Sequence, residues 1–293
     1  WRREYDLYQS QLGHMLGDML HTTKCYLAIM KEQESQLWLE YIEGCSGNHL
    51  TVDMLTEAAY QLGRFQGYHV KNQQHLNGLL SNMTDVTFLE NELTQWHPNR
   101  YQYQFLCSDE CSLPNHVKEM LRRNDWDDEF SIIYHYLRSQ ECDLPLHIKQ
   151  MMIDIDCQKS AMIKHLSKYP LVLNHRDFWI ENIIYRDAII TVIDWDCVGM
   201  GYMGEDLTSL IGDHTLTDQL MIYFQRLIPA YQEGISEYLN MTCDPVLIYD
   251  MILMKYGCRW IQNHMFSTEM KDKQEVEKRF QVLYDIQQMI NHS

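Results

Sequence analysis

Basic side chains are scarce in this sequence. Its 293 residues include 24 Lys and Arg against 41 Asp and Glu, which gives a formal net charge of −17. Proteins that bind nucleic acids neutralise phosphates with clusters of Lys and Arg, and the sequence has no such basic stripe, which argues against a nucleic-acid partner. An acidic surface attracts polycationic small molecules, but many proteins are acidic for solubility alone, so both explanations stay open.

Long apolar runs are also missing. No segment approaches the roughly 20 residues of a membrane-spanning helix, and no signal peptide is visible, so we expect no membrane partner. The sequence has no internal repeats and no low-complexity linkers. It begins at Trp1 rather than Met, and we expect it to start inside a longer reading frame or after processing or trimming. The length suits one bilobal unit or two domains.

The nine cysteines are scattered along the chain. Their odd number and lack of close pairing favour reduced thiols and a cytoplasmic protein over a disulfide framework. Cys107 and Cys111, with His97 or His116 nearby, hint at a metal site. Two Cys without a second pair make a poor zinc site.

The segment that begins at His175 carries the clearest functional pattern. His175, Arg176, Asp177 and Asn182 have the spacing H-R-D-x-x-x-x-N of a kinase catalytic loop, and Asp194 follows an apolar run. Phosphoryl transfer needs a carboxylate to accept the proton of the attacking hydroxyl, and an amide oxygen and a second carboxylate to hold magnesium. The alternative is coincidence, with an Asp and an Asn in two surface turns.

Short apolar runs around this loop predict strands. Residues 170–173 predict a buried strand that leads into the loop. Residues 183–185 and 189–193 predict two further strands, with 186–188 as the turn between them. Such a hairpin folds the chain back, so that the amide and the second carboxylate converge on one metal ion.

One part of the sequence resembles the aminoglycoside phosphotransferase-like family of small-molecule kinases, which includes choline kinase-like proteins. The resemblance lies in the stretch from His175 to Asp196 and in Gly199, Gly201 and Asp206-Leu207 after it. Trp195 stands where a protein kinase has the Phe of D-F-G.

The resemblance implies a role for each matching residue. Asp177 would be the catalytic base, and Asn182 and Asp194 would be the magnesium ligands. Asp206 would support the catalytic loop, and His175 would be a structural residue. The implied cofactors are ATP or GTP and Mg²⁺.

The implied fold is α+β, a protein-kinase-like bilobal fold with a truncated small N-lobe (residues 1–43) and a large, mainly helical C-lobe (44–293). Residues 37–44 resemble the hinge between the lobes, where the carbonyl of Glu40 and the amide of Ile42 would bind the nucleotide base. An ordinary edge strand is the alternative for this segment.

Glu4 would lie on the small-lobe helix that normally pairs with a phosphate-binding Lys, or it is a solvated residue at the chain end. The Gly-rich loop and the strand Lys of the family are absent from this sequence. Their absence supports a different class of function, a non-catalytic kinase-like module that binds a nucleotide or another ligand.

Periodicity predicts the remaining elements. Two strands are predicted at 25–30 and 36–41, and helices at 1–12, 51–68, 114–123, 128–138, 145–166, 216–239, 245–266 and 269–289.

The sequence therefore predicts an ATP-dependent phosphotransferase that acts on a hydroxyl of a small molecule. The favoured acceptor is an aminoglycoside or another amino-bearing sugar or alcohol, and amino alcohols such as choline, macrolides and homoserine stay open. Glu205 and Asp213 are the acceptor-binding candidates nearest to the catalytic segment. Protein kinase activity is the weakest option, because there is no A-P-E-like segment and only about a dozen residues separate Asp194 from Asp206. The sequence does not indicate an oligomeric state.

Overall fold

The computed structural model describes residues 2–10, 19–32, 34–73, 133, 136–213, 215–267 and 269–292. The chain divides into two compact units, one formed by residues 1–87 and 166–248 and the other by 88–165 and 249–293. The expected lobe boundary between residues 43 and 44 is a different division and stays a prediction. The predicted helix at 114–123, most of the one at 128–138, and the Cys107–Cys111 pair lie outside the described residues.

The first unit opens with a short helix and a strand pair. Helix α1 spans Arg2–Gln9, strand β1 spans His21–Thr22, and strands β2 (Cys25–Met30) and β3 (Ser35–Leu39) form an antiparallel pair. The two predicted strands are confirmed, although the second ends two residues before its predicted end. The hydroxyl of Tyr8 in α1 lies 2.7 Å from that of Thr23, which ties the helix to the segment before β2.

The predicted hairpin is also confirmed. Strand β4 spans Leu171–Asn174, and β5 (Ile183–Arg186) and β6 (Ile189–Val192) are antiparallel. The turn is one residue shorter than predicted: Asp187 and Ala188 alone make it, with φ angles of 51° and 64°, as a two-residue hairpin turn of type I′ requires.

Two more pairings complete the strand framework. Strand β1 joins the other edge of β6 in parallel, which gives a sheet of order β1-β6-β5. Strand β7 (Gly199–Tyr202) is antiparallel to β4.

Three helices pack around these strands: α2 (Val52–Lys71), α4 (Glu205–Gly212) and α5 (Thr217–Ser236). The predicted cap of α2 is confirmed, because the Thr51 hydroxyl accepts a hydrogen bond from the Met54 amide at 3.3 Å. Helices α2 and α5 touch through their backbones. A Cβ added at Gly63 would lie 2.1 Å from the Tyr231 carbonyl oxygen, and one at Gly234 would lie 2.1 Å from that of Tyr60.

Helices form most of the described part of the second unit: α3 (Leu146–Leu166), the second half of α6 (Pro245–Ile252), α7 (Cys258–Phe266) and α8 (Met270–Asn291). The predicted single helix over 245–266 is interrupted by a π-helical turn at Leu253–Gly257. Trp260 packs edge-on against Phe280, with ring centroids 5.8 Å apart. Buried His264 accepts or donates a 2.8 Å bond with the Tyr136 hydroxyl and lies 3.2 Å from a carboxylate oxygen of Asp143.

The mixture of short strands and dominant helices confirms the predicted α+β class. None of the helices in the described ranges is long and apolar enough to cross a membrane. The seven cysteines in those ranges are all free thiols.

Candidate active site

The predicted catalytic loop begins where β4 ends, and its first two amides are held by one carboxylate. The two oxygens of Asp206 accept hydrogen bonds from the amides of His175, at 2.7 Å, and Arg176, at 2.8 Å. Asp206 is in the first turn of α4 and is 1% exposed. Arg176 has a left-handed φ of 67°, a conformation that a non-glycine residue keeps only where its surroundings determine it. This is the position in which Asp206 supports the loop.

His175 connects the catalytic loop to the segment that follows the β5–β6 hairpin. Its Nε2 donates to the Ile193 carbonyl oxygen at 2.9 Å, and its ring centroid lies 4.5 Å from that of Trp195. Burial lowers its pKa to about 4, so the imidazole is neutral near pH 7. Trp195 is itself buried and donates to the Val192 carbonyl oxygen at 2.9 Å. The contacts of His175 are those of a structural support.

Asp177 and Asn182 are in direct contact. The side-chain amide nitrogen of Asn182 donates to both the backbone oxygen and Oδ2 of Asp177, each at 2.9 Å. Because the nitrogen faces Asp177, the amide oxygen of Asn182 points elsewhere, and it has no hydrogen-bond partner in the described part of the chain. An amide oxygen that is oriented but unused fits a magnesium ligand.

Asp194 lies next to this pair. The Ile193 amide donates to the Asn182 carbonyl oxygen at 3.0 Å, which brings the two candidate ligands together as the hairpin predicted. Burial, followed by repulsion from Asp196 and Asp177, raises the pKa of the Asp194 carboxyl. A bound cation would relieve that repulsion. The described residues contain no group of three His, Cys, Asp or Glu that could hold a metal, but magnesium needs only one or two protein ligands when substrate phosphates supply the rest.

Glu4 contacts the segment that carries Asp194. Burial raises the pKa of its carboxyl, a hydrogen bond from the Trp195 backbone lowers it, and Asp194 and Asp196 raise it further. Arg3 fastens α1 to the same segment, since its Nη1 donates to the Val198 carbonyl oxygen at 3.2 Å. No Lys or Arg forms an ion pair with Glu4 among the residues that the structure describes.

The predicted hinge follows β3. The Glu40 amide donates to the Lys24 carbonyl oxygen at 2.8 Å, which continues the β2–β3 pairing. The Glu40 carbonyl and the Ile42 amide have no backbone partner within the described ranges. Just beyond them, Cys45 and Tyr185 exchange two backbone hydrogen bonds of 2.9 and 2.8 Å. These bonds attach the hinge segment to strand β5, next to the catalytic loop.

The structure corrects one acceptor candidate. Glu205 is only 5% exposed, and its carboxylate accepts a hydrogen bond from the Tyr202 amide. It is packed so closely that a Cβ added at Gly201 would lie 2.8 Å from its Oε1. Glu205 therefore joins α4 to β7 and is not available to an amine. Asp213 follows α4 and is half-buried, and its role stays a prediction.

Sequence reasoning missed the side chain of Arg176. Its guanidinium is buried, donates to the Met200 carbonyl oxygen and lies so close to Gly199 that an added Cβ would be 2.6 Å from Cζ. Gly199, the first residue of β7, was the available signal, because a glycine in a strand often marks a place where another group approaches the backbone closely. All of the candidate site residues belong to the first unit.

Comparison with known proteins gives three findings. The model of the phosphotransferase enzyme family, APH, matches residues 36–238. No curated protein matches the sequence. The chain is similar in structure to an aminoglycoside phosphotransferase from Alicyclobacillus acidocaldarius subsp. acidocaldarius DSM 446, with 13% identity, a TM-score of 0.53, and coverage of 99% of this chain and 85% of that one.

It is also similar to the amicoumacin kinase hAmiN in complex with AMP-PNP, Ca²⁺ and Ami. That comparison has 13% identity and a TM-score of 0.50, and it covers 97% of this chain and 76% of the other. At such low identity the likeness shows the fold alone. The fold is the protein-kinase-like one that the sequence predicted, with a large helical C-terminal part.

Proposed function

Because this chain belongs to the phosphotransferase enzyme family, we propose that it transfers the γ-phosphoryl group of ATP or GTP to a hydroxyl of a small molecule. The observation that carries this proposal is the arrangement of Asp177, Asn182 and Asp194. The Asn182 side-chain nitrogen fixes the Asp177 carboxylate, and the oxygen of the same amide accepts no hydrogen bond in the described part of the chain. The backbone bond from the Ile193 amide to the Asn182 carbonyl oxygen holds the neighbouring Asp194 close to this pair. A module that only binds ligands needs none of these three side chains in this arrangement.

Asp177 would act as the general base. Asn182 holds Oδ2 of Asp177, so the other carboxylate oxygen is the one free to accept the proton of the acceptor hydroxyl. The short hydrogen bonds that Asp206 accepts from the amides of His175 and Arg176 fix the backbone that carries Asp177. General-base help of this kind is worth about 10²–10⁴-fold in rate.

Asn182 and Asp194 would hold the metal. Their neutral and anionic oxygens suit Mg²⁺, a hard cation. When bound, Mg²⁺ would neutralise the charge that develops on the transferred phosphoryl group. Glu4 and Asp196 add negative charge around Asp194, which strengthens the attraction for a cation at this position.

The hinge would bind the nucleotide base. The Glu40 carbonyl is an acceptor and the Ile42 amide is a donor, and neither is used by the described part of the fold. A donor and an acceptor on one edge suit either adenine or guanine, so this pair does not decide between ATP and GTP.

An amino-bearing sugar or alcohol is the proposed class of acceptor. Support comes from the net charge of −17, because an acidic surface attracts a cationic acceptor. With Glu205 excluded, Asp213 is the remaining candidate of the two.

A radiochemical screen tests the proposal. The purified chain is incubated with γ-labelled ATP or GTP, Mg²⁺ and a panel of acceptors: aminoglycosides, choline and ethanolamine, amino sugars, macrolides and homoserine. We expect Mg²⁺-dependent labelling of at least one amino-bearing acceptor. Labelling of a neutral macrolide alone would contradict the proposed acceptor class.

The same screen separates the second candidate function, a non-catalytic kinase-like binding module. This is the alternative that the sequence leaves open beside the enzyme. A binding module would show nucleotide binding by calorimetry, but no labelled product with any acceptor and no nucleotide hydrolysis.

A further inference from the structure

A chain of buried polar side chains connects two helices to the last residue of β4. Gln66 of α2, Tyr231 of α5 and Asn174 of β4 are each 0% exposed. The Tyr231 hydroxyl donates to the side-chain oxygen of Gln66, and the Gln66 side-chain nitrogen donates to Oδ1 of Asn174 at 3.0 Å. Because buried polar groups are expensive unless they are hydrogen-bonded, such a chain keeps one geometry.

Each member of this chain orients the next. The Tyr231 hydroxyl selects the orientation of the Gln66 amide that presents its nitrogen to Asn174. Asn174 then turns its own nitrogen to the carbonyl oxygens of Val172, at 3.2 Å, and Tyr202, at 3.3 Å. The Asn174 amide thereby joins β4 to β7.

Helix α2 also holds β4 at the edge that has no strand beside it. In the described part of the chain, β4 pairs with β7 only. On the side of α2, the Leu173 amide donates to Nδ1 of His69 at 2.8 Å. His69 lies one helical turn after Gln66, so one face of α2 holds two consecutive residues of β4 directly before the catalytic loop.

The helix contact that supports this chain is unusually close. Gly63 and Gly234, where α2 and α5 touch, each lie three residues from Gln66 and Tyr231 respectively. Gln66 lies one turn after Gly63, and Tyr231, whose carbonyl oxygen faces Gly63, lies one turn before Gly234, so the close approach of the helices brings the two side chains together. Apart from Gln66 and His69, the buried residues of α2 are apolar or glycine, so a glutamine there has no packing advantage over leucine or methionine.

We propose that Gln66 is a positioning residue for Asp177, acting through Asn174 and the backbone of the catalytic loop; the inference rests on the proposed phosphotransferase function. Asn174 is three residues from Asp177. Asp206 holds the two amides between them from α4, and Gln66 holds Asn174 from α2. The loop is therefore anchored from two helices. Misplacement of a reacting group by about 1 Å can cost about 10²-fold in rate.

Substitution of Gln66 tests this role. Gln66→Met keeps the size of the side chain and removes its three hydrogen bonds, which include one that Oε1 accepts from the Gly204 amide at 3.5 Å. We expect kcat to fall at least about tenfold with little change in KM for the nucleotide. Gln262→Met is the matched control, since Gln262 is a buried glutamine in the second unit, and its kcat should stay within about twofold of the wild type. Equal kcat losses in the two variants would overturn the proposal.

Gln66→Glu gives a second readout, the dependence of kcat on pH. This readout remains available if Gln66→Met fails to fold. When the introduced carboxyl group is protonated, it can still donate to Asn174 and accept from Tyr231, whereas its ionised form places a negative charge against Oδ1 of Asn174. Burial favours the neutral form. We expect kcat relative to the wild type to be near one at pH 6 and to fall steeply towards pH 8. A pH-independent ratio would contradict the proposal.

Hydrogen exchange separates this inference from the proposed function. Amide exchange in residues 174–177 should be faster in Gln66→Met than in the wild type, while exchange in α5 is unchanged. If the wild type has no activity but this difference appears, the phosphotransferase function fails and the anchoring stands. If the wild type is active and exchange in the loop is unchanged, the anchoring fails alone.

Discussion

At the scale of single residues, the proposed site depends on a difference in charge between its two proposed metal ligands. Asp194 has a carboxylate whose pKa is raised by burial and by repulsion from Asp196 and Asp177, whereas Asn182 has a neutral amide fixed by Asp177. The ion would therefore gain more from Asp194 than from Asn182, because only Asp194 contributes a full charge.

Replacing Asp194 by Asn should separate metal binding from folding. Asn tolerates the left-handed backbone at this position, where φ is 62°. We expect the Mg²⁺-dependent part of nucleotide affinity to fall by at least about tenfold, and more than in Asn182→Ala. Stability without metal should be equal or higher, by less than about 1 kcal/mol, because the Asp194 side chain is largely exposed and the partial desolvation and repulsion that its charge experiences are weak there.

Calorimetry with and without Mg²⁺ measures the first effect and urea unfolding the second. Asp187→Asn, in the exposed hairpin turn at a φ of 51°, is the control for the same chemical change. Mg²⁺-dependent affinity that is as high in Asp194→Asn as in this control would remove Asp194 from the metal site.

At the scale of elements, the strands and helices around the site follow from local sequence. Runs of β-branched residues on both sides of a short turn specify the β5–β6 hairpin, and Thr51 with the apolar stripe after it specifies α2. Periodicity does not specify long-range contacts. Strand β1 has only two residues, so its pairing with β6 could not be predicted, and the π-helical turn at Leu253–Gly257 has no local signal.

The same distinction applies to the site. Asp177 and Asn182 directly precede the β5–β6 hairpin and Asp194 directly follows it, so this local element brings the three residues near one another. Glu205 was misjudged because nearness in sequence to the catalytic segment does not report burial. The hydrogen bond from Gln66 to Asn174 joins residues 108 positions apart. Its one local sign in the sequence is that Gln66, a polar residue, lies in the mainly apolar stripe of α2.

The crossing of α2 and α5 gives the element-scale prediction. In Gly234→Ala the new Cβ would lie 2.1 Å from the Tyr60 carbonyl oxygen, so the helices must separate. We expect a loss of about 1–3 kcal/mol in the free energy of unfolding. In Gly67→Ala, on α2, the nearest atom would be the Ile235 carbonyl oxygen at 3.2 Å, and the gain in helix propensity offsets the strain.

Urea unfolding of both variants checks this expectation. Equal stability of the Gly234 and Gly67 variants would show that the backbone contact between the helices is not tight.

At the scale of the whole molecule, buried neutral histidines make stability depend on pH. Burial lowers the pKa values of His69, His175 and His264 from 6.5 to about 4. The unfolded chain therefore binds protons in a range where the folded chain does not. The free energy of unfolding should fall as the pH drops from 6.5 towards 4, by up to about 3 kcal/mol for each histidine. The raised pKa values of Glu4 and Asp194 act in the opposite direction and offset part of this loss.

Urea unfolding at pH 7.5, 6 and 5 measures the slope. His264→Gln should flatten it, since a glutamine can still meet Tyr136 and Asp143 but does not titrate, whereas His147→Gln, at an exposed histidine, should leave it unchanged. A wild-type stability that does not change between pH 7.5 and 5 would contradict the assignment of these histidines as buried and neutral.

The central claim is that Asp177 is the base of a phosphotransferase. The most direct measurement compares the turnover of three proteins, the wild type, Asp177→Asn and Asp187→Asn. Each is assayed with nucleotide, Mg²⁺ and the best acceptor from the screen. We expect kcat to fall about 10²–10⁴-fold in Asp177→Asn, with nucleotide affinity retained, and to be unchanged in Asp187→Asn. Turnover in Asp177→Asn within about threefold of the wild type would contradict this role of Asp177, since loss of a general base costs at least about 10²-fold.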